Sequence, residues 1–285
     1  MTDPIIRPRR SFIFTPAMRP DLYPKALASG ADIVCVELED GVAPRDKDTA
    51  RANAVSLFGA PQADDGIERV IRINSPMEQV GVDDVRALLG MATPPPGIML
   101  PKVCSPDEVA LLDQLITEAG HDIRLHIIIE TNAGLEAAYE IAHSSDRIDA
   151  LLFGGVDMAA ELRCELAWEP LLYARSRVVH AAASAGIDVI DVPYLDLNDP
   201  DGMRIAAEQA RSLGFSGKGA IHPKQIAALN DVFTPSAAAI SRARDIIAAF
   251  EASDSALVVI DGKLIEKPVL REMHRIIAIA DRITA

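Results

Sequence analysis

The chain has 285 residues, 49% of them hydrophobic and 25% charged, with a formal net charge of −14. A chain this acidic is repelled by nucleic acid and by anionic membrane surfaces, which excludes both as partners but not a small phosphate-bearing ligand held by a local cluster of Arg and Lys. Its three cysteines (Cys35, Cys104, Cys164) are odd in number, widely spaced and in two cases set in apolar runs, and read as reduced structural thiols of a cytoplasmic protein.

In chain order, the arginine-bearing start from Met1 to Arg10 lacks the apolar core of a secretory signal. No later stretch approaches the roughly 18 apolar residues of a membrane helix. Short apolar, β-branched runs then recur at Ser11–Thr15, Ile33–Leu38, Arg69–Ile73, Gly97–Pro101, Leu125–Ile129, Ala150–Gly154, Asp188–Val192 and Gly217–Ile221. Between them lie helical patterns near residues 20–30, 46–58, 80–90, 106–119, 133–143, 170–185, 201–213 and 223–231. Strands alternating with helices of this length make βαβ units and a parallel sheet. Eight such units predict an α/β fold closed as a TIM (β/α)8 barrel, which takes about 250 residues. The alternative, an open doubly wound sheet, wants a Gly-rich dinucleotide fingerprint that does not follow the first run. With only 4% aromatic residues, Ala, Ile, Val and Leu fill the core, as suits packed parallel strands.

After Thr234-Pro235-Ser236 the alternation stops. A helix N-capped by Ser236 is expected to run to about Glu251, followed by a strand at Leu257–Ile260, a turn at Asp261-Gly262 and a last helix from Pro268 to Ala285. Residues 1–234 are therefore expected to form the catalytic barrel, and residues 235–285 a C-terminal helical extension acting as a lid or an oligomerisation arm.

Barrel chemistry sits at the C-terminal ends of the strands, so the residues ending each run are the informative ones. The second run ends in Glu37-Leu38-Glu39-Asp40, the third in Arg72-Ile73-Asn74, the fourth in Pro101-Lys102, the fifth in Glu130, the sixth leads through Gly154-Gly155 to Asp157, and the eighth finishes at His222-Pro223. Glu130 and Asp157 are the candidate metal ligands. Two carboxylates with room for water and substrate oxygens suit Mg²⁺, with Mn²⁺ as the alternative ion, and no His/Cys cluster favours zinc. The competing reading of each is a carboxylate capping the helix that follows. Arg72 offers a planar fork for a carboxylate, or an ion pair with Glu39 or Asp40. Glu39 and Asp40 are candidate acids that hold water at the metal and Lys102. Lys102 alone would fit Schiff-base chemistry, but neighbouring acids keep it protonated.

The segments Arg10-Ser11-Phe12-Ile13-Phe14-Thr15-Pro16, Glu37 to Pro44, Arg72-Ile73-Asn74, Leu100-Pro101-Lys102, Ile129-Glu130-Thr131, Gly154-Gly155-Val156-Asp157, Gly217 to Pro223 and Asp261 to Pro268 resemble, in order along nearly the whole chain, the HpcH/HpaI aldolase and citrate lyase superfamily. Within it the resemblance is to the citrate lyase beta subunit-like and malyl-CoA lyase branch. That resemblance implies a Mg²⁺-dependent lyase cleaving a short 3-hydroxyacyl-CoA thioester (malyl-CoA, citramalyl-CoA or citryl-CoA) into acetyl-CoA and a 2-oxoacid. By it, Glu130 and Asp157 hold the metal, and Arg72 stabilises the oxoacid oxygens. Phe14, Arg19 and Lys25 match positions that contact coenzyme A, an aromatic face suiting adenine and cations suiting phosphates. Their plain alternative is core packing for Phe14 and solvated charge for the other two. His222 lies near the same channel in relatives and is otherwise a strand-end hydrogen bonder.

Relatives carry in the C-terminal segment an Asp that reaches an adjacent subunit's site as acid or base. Here the matching residue is Glu266, whose extra methylene moves the carboxyl by roughly 1.5 Å. Asp261 is a second candidate, although Asp261-Gly262 reads as a turn. The resemblance also implies a homo-oligomer built on trimers. The alternatives to a free lyase are a malyl-CoA-type thioesterase or malate synthase-like enzyme, an aldolase on free 2-oxoacids, and a citrate lyase beta subunit acting only on carrier-protein thioesters in a complex. Asp191-Val192-Pro193-Tyr194-Leu195-Asp196 is the expected wall of the oxoacid pocket.

Overall fold

The computed structural model describes residues 8–60, 62–253, 258–260 and 263–284. Eight strands, β1 (Ser11–Pro16), β2 (Ile33–Glu37), β3 (Glu68–Arg72), β4 (Gly97–Leu100), β5 (Arg124–Ile129), β6 (Ile148–Phe153), β7 (Asp188–Asp191) and β8 (Gly217–Ala220), pair in sequence order as a closed parallel barrel. Closure is made by β8 returning to β1, with Ser11 opposite Lys218 and Phe12 opposite Gly219. That register removes the open-sheet alternative. Each expected run is a strand, with ends shifted by no more than two residues.

The strands form because apolar residues point to both faces. Phe12, Ile33, Cys35, Val70, Met99, Ile128, Ala150, Leu152 and Ile190 pack together inside the barrel. Their neighbours, such as Val34, Ile71, Ile127 and Leu151, are buried as well, so the strands read as near-continuous hydrophobic runs. Each such Ile or Leu stabilises the fold by roughly 1.5–3 kcal/mol on leaving water.

The connecting helices follow from their start signals. Pro106 opens Pro106–Glu118 at the first helical position, and Asp199 caps Pro200–Leu213 by accepting from the Gly202 N–H at 2.9 Å. Lys47–Gly59, Gln79–Leu89 and Leu172–Ala185 occupy their expected places. Three stretches differ. The helix expected near 20–30 is a 3-10 turn, Pro20–Leu22, and a short helix, Tyr23–Leu27. The helix expected over 133–143 is two short ones, Asn132–Glu136 and Ala138–Ala142, interrupted at Ala137 with no Pro to announce the break. An unexpected helix, Gly155–Leu162, follows β6 directly, because Gly154-Gly155 hides a helix start.

The chain divides into two compact units, Arg9–Asn230 and one containing Asp231–Ala285. In the second, Ser236 Oγ accepts from the Ala239 N–H at 3.1 Å and caps Ala237–Glu251, as expected. An antiparallel pair follows, β9 (Val258–Ile260) with β10 (Lys263–Ile265), then the helix Lys267–Thr284. Only the first of these two strands was expected, and the Asp261-Gly262 turn lies outside the described residues. Ala243, Ile246, Ile265 and Met273 form this unit's core. Among the described residues no helix is long and apolar enough to cross a membrane. All three thiols are free. Cys35 is in the barrel core, but Cys104 is exposed, which corrects its reading as a structural thiol.

Candidate functional site

Strand ends bring the charged side chains to one rim of the barrel. Glu130 follows β5 and is 2% exposed, with Oε1 accepting the Lys102 N–H at 2.9 Å. Lys102 adopts a left-handed backbone (φ 56°), a conformation costing a non-glycine residue roughly 1–2 kcal/mol. Its N–H bond to Glu130 is one interaction that holds it there. Glu130 does not cap the next helix, because the Thr131 side chain does so by accepting from the Gly134 N–H. Asp157 lies in the first turn of Gly155–Leu162, half-buried, where the helix N-terminus favours a negative charge. Gly154 lies between the two acids in sequence, and a Cβ there would overlap Glu130 Cβ and Oε2.

Burial first, and the charge of Asp157 second, push the Glu130 carboxyl up to about 8. A buried acid facing a second acid, with one backbone donor to balance it, is short of positive charge. This is the environment a hard divalent cation relieves, and Mg²⁺ typically takes one or two protein carboxylates and keeps several waters. Among the described residues no cluster of three or more His, Cys, Asp or Glu offers a denser metal cage. The residues present therefore fit Mg²⁺ and not a structural zinc site.

Arg72 ends β3 directly opposite Glu37, which ends β2. Its Nε donates to Glu37 Oε2 at 2.5 Å, and Nη1 lies 3.1 Å from Glu39 Oε2. The guanidinium stands 4.6 Å above the Phe14 ring, which itself packs edge-on against Phe12. Burial works against the Arg72 charge, but Glu37 and Glu39 outweigh it and raise its pKa. Burial also raises the Glu37 carboxyl, Arg72 notwithstanding. The expected ion pair of Arg72 with Glu39 is present. Asp40, the other expected partner, instead takes Lys102, whose Nζ lies 3.0 Å from Asp40 Oδ1 and 2.5 Å from Glu39 Oε1. Against the opposing effect of burial, those acids raise the Lys102 pKa, so it stays a charged structural partner.

A cavity of about 170 Å³ is lined by Phe14, Arg72, Glu130 and Asp157 together with Asp191, Val192, Pro193 and Leu195. Of the expected wall after β7, Asp191, Val192, Pro193 and Leu195 are therefore at the site, whereas Tyr194 and Asp196 do not line this cavity. Arg19 pairs with Asp21 in solvent, and Lys25 is exposed on Tyr23–Leu27; neither lines the cavity. His222 is a cap: Nδ1 accepts the Lys224 N–H at 3.1 Å, and Gln225 Oε1 accepts the His222 N–H. Glu266 follows β10 in the C-terminal unit and is exposed, its carbonyl accepting from Val269 and Leu270. Asp261 lies outside the described residues.

Two groups escaped the sequence reading as functional candidates. Glu37 holds Arg72, and its place opposite Arg72 at two strand ends was the available signal. Arg175 donates from Nε to Asp191 Oδ1 at 3.0 Å, beside Lys218 Nζ at 2.5 Å from Oδ2. Arg175 comes from mid-helix, and nothing in its local sequence points to Asp191.

Comparison with known proteins adds to this geometry. A sequence model described as HpcH/HpaI aldolase/citrate lyase matches residues 10–223. An L-malyl-CoA/beta-methylmalyl-CoA lyase of Cereibacter sphaeroides is 34% identical, over 99% of this chain and 98% of its own. The citrate lyase subunit beta of Escherichia coli is 31% identical, over 96% and 94%. Among solved structures, RipC from Yersinia pestis is 40% identical with a TM-score of 0.72, covering 81% of this chain and 97% of its own. CitE from Mycobacterium tuberculosis, in complex with magnesium, acetoacetate and coenzyme A, is 28% identical with a TM-score of 0.78, covering 96% and 98%.

Proposed function

The chain belongs to the HpcH/HpaI aldolase/citrate lyase family, and on that premise we propose that it is a Mg²⁺-dependent carbon–carbon lyase that cleaves a short 3-hydroxyacyl-CoA thioester into acetyl-CoA and a 2-oxoacid. The observation that carries this reading is the buried Glu130 carboxylate beside Asp157 and Arg72 in one cavity.

Glu130 and Asp157 would hold the ion, which when bound supplies Lewis-acid polarisation of the oxoacid oxygens. Arg72, its Nε fixed by Glu37 and its Nη1 by Glu39, presents the rest of its fork to the same oxygens and stabilises the charge that gathers there. In the cleavage the substrate hydroxyl gives its proton to solvent acting as base, its oxygen becomes the new carbonyl, and the bond to the thioester α-carbon breaks. The electron pair of that bond passes to the thioester as an enolate, which an acid then protonates at carbon, so no oxidant or reductant is needed. Phe14 keeps the guanidinium in an apolar setting where its charge is less screened. Asp40 and Glu39 position Lys102, whose N–H orients Glu130. Glu266 is our candidate for the acid that protonates the enolate, and Arg19 and Lys25 for contacts to the coenzyme A phosphates. The extension at residues 235–285 would then act as a lid in a homo-oligomer built on trimers, and three free thiols suit the cytoplasm.

The test is release of acetyl-CoA from malyl-CoA, citramalyl-CoA and citryl-CoA by the purified chain, with Mg²⁺ and with EDTA. Metal-dependent release from one or more is expected. Free coenzyme A without acetyl-CoA would replace the reading with a thioesterase. No reaction by the chain alone, with cleavage restored by an acyl-carrier-protein thioester, would replace it with a citrate lyase subunit.

A further inference from the structure

A second cavity, of about 370 Å³, lies where β7 and β8 meet the helices Leu172–Ala185 and Pro200–Leu213. It shares Asp191, Val192, Pro193 and Leu195 with the first, but Phe14, Arg72, Glu130 and Asp157 line only the first. Its floor carries charge. Ile190 packs inside the barrel, so Asp191 next to it turns toward the helices. There Lys218 stands opposite it on β8, with Nζ 2.5 Å from Oδ2, and Arg175 Nε donates to Oδ1 at 3.0 Å. Both cations line the cavity, Lys218 at 2% and Arg175 at 5% exposed.

Two buried cations against one buried anion leave an excess of positive charge. Burial lowers the Lys218 pKa even with Asp191 in contact, and Arg175 lowers it further. Asp191 occupies Nε of Arg175, Nη1 reaches the Ala167 carbonyl at 3.5 Å, and Nη2 has no hydrogen-bond partner among the described residues. The guanidinium is held in place all the same, over the Phe153 ring at 5.0 Å and the Trp168 ring at 4.8 Å. A planar fork fixed in this way, with a donor to spare, is set to receive a carboxylate. Asp196, the other charged residue of the described lining, is exposed, where water screens it.

The rest of the wall is largely apolar. Leu166, Leu195 and Ile205 are 44%, 48% and 57% exposed, and Trp168 lines the cavity with them. The desolvated part is thus the charged floor, and the apolar part is open to solvent. An occupant with its charged end inward and an apolar body outward gains at both. The loop at the rim is already built: Tyr194 Oη donates to Asp199 Oδ2 at 2.6 Å, and Asp199 Oδ1 accepts the Gly202 N–H at 2.9 Å. A Cβ at Gly202 would overlap both side chains. We propose that this cavity binds a small organic carboxylate, with the carboxylate on Arg175 and Lys218 and the apolar body over Trp168, Leu166 and Ile205, as a second ligand site separate from the metal site. The site does not depend on the lyase reading.

Trp168 is the chain's single tryptophan, so its fluorescence reports on this cavity. With EDTA present to keep metal out of the other cavity, titration with hexanoate should change that emission saturably. The neutral hexanamide should bind at least about tenfold more weakly, as expected for the loss of one charge-assisted hydrogen bond. Inorganic phosphate, which has the charge without the apolar body, should be weaker by about tenfold as well. Calorimetry, which needs no tryptophan signal, should show hexanoate binding weakened about tenfold or more in Arg175→Gln. In Ala206→Phe, where a ring fills the cavity from a half-buried helix position and leaves Arg175 and Lys218 in place, binding should be lost. Arg72→Lys should bind hexanoate as the wild type does. Equal binding of hexanoate and hexanamide, or of hexanoate and phosphate, would overturn the proposal. Binding lost in Arg72→Lys yet kept in Ala206→Phe would also overturn it, since the carboxylate would then sit in the metal cavity. So would the lack of saturable hexanoate binding by both methods.

Discussion

The two ends of the barrel both bury charge, to opposite effect. At the N-terminal end Arg9 reaches into the base, its Nε 2.7 Å from Glu68 Oε2, Nη2 2.9 Å from Asp149 and Nη1 2.8 Å from Asp188. His126, fully buried on β5, meets Glu68 Oε1 at 2.8 Å, and Arg124 ties Asp149. Burial alone would raise the Glu68 carboxyl, yet His126 and Arg9 outweigh it and hold it well below the usual carboxylate range. At the C-terminal mouth Glu37, Glu39, Asp40, Glu130 and Asp157 face only Arg72 and Lys102 among the charged residues described above, and Glu130 is pushed up instead. The base is a closed network that fixes where strands start. The mouth is left acidic and therefore ready for a cation from solution, which is the difference between charge spent on folding and charge kept for chemistry.

The sharpest way to break this contrast is Glu130→Gln. The isosteric change should lower Mg²⁺-dependent acetyl-CoA release by at least about 1,000-fold, with metal binding lost by calorimetry. Without Mg²⁺ the same variant should melt close to the wild-type temperature, since burial already pushes the Glu130 carboxyl up to about 8 and leaves it largely uncharged at neutral pH. A large drop in melting temperature would mean that Glu130 serves folding after all.

Glu68→Gln is the mirror experiment at the base, expected to cost about 3–5 kcal/mol in denaturant unfolding because it leaves Arg9 and His126 without their anion. The rate per folded molecule should not change. The sign of its pH effect follows from a folded pKa below the unfolded one: the stabilisation is complete above the unfolded carboxylate pKa of about 4.3 and fades as pH falls toward the folded value. Wild-type protein should therefore lose stability steeply on the acid side, and Glu68→Gln should flatten that slope. Identical acid profiles would remove Glu68 from the account.

Arg72→Lys sharpens the mouth side of the comparison. A point charge cannot engage Glu37, Glu39 and a ligand at once, so kcat/KM should fall about 10- to 100-fold with little change in melting temperature. An effect confined to stability would make Arg72 another member of a structural network. The smallest effect is expected outside the cavity. Arg19→Ala removes an exposed cation paired only with Asp21, and should raise KM for the CoA ester a few-fold without altering kcat or melting temperature. No change in KM would take Arg19 out of coenzyme A recognition.

Strand existence was legible because it rests on local pattern. Ile33–Glu37 or Arg124–Ile129 is apolar whatever surrounds it, and eight such runs between helical stretches admit few closures. Glu130, Asp157 and Arg72 were legible for the same reason, since the end of a strand is readable and the end of a barrel strand is where chemistry collects. The helix Gly155–Leu162 was not, because its paired glycines contradict helix propensity, and what explains them is the close approach of Glu130 to Gly154 and of Val192 to Gly155.

Local sequence pattern was enough for the barrel, for the rim that carries the acids and for singling out the two carboxylates proposed to hold a metal. Tertiary structure decided the pairings: Arg72 with Glu37 and Glu39, Asp40 with Lys102, Asp191 with Arg175 and Lys218. Periodicity is a property of neighbours in the chain, but an ion pair depends on register between strands and on which helix lies over them. The left-handed turn at Lys102 belongs to the second kind. No local preference of lysine produces it, and the bond to Glu130, 28 residues away, helps to hold it.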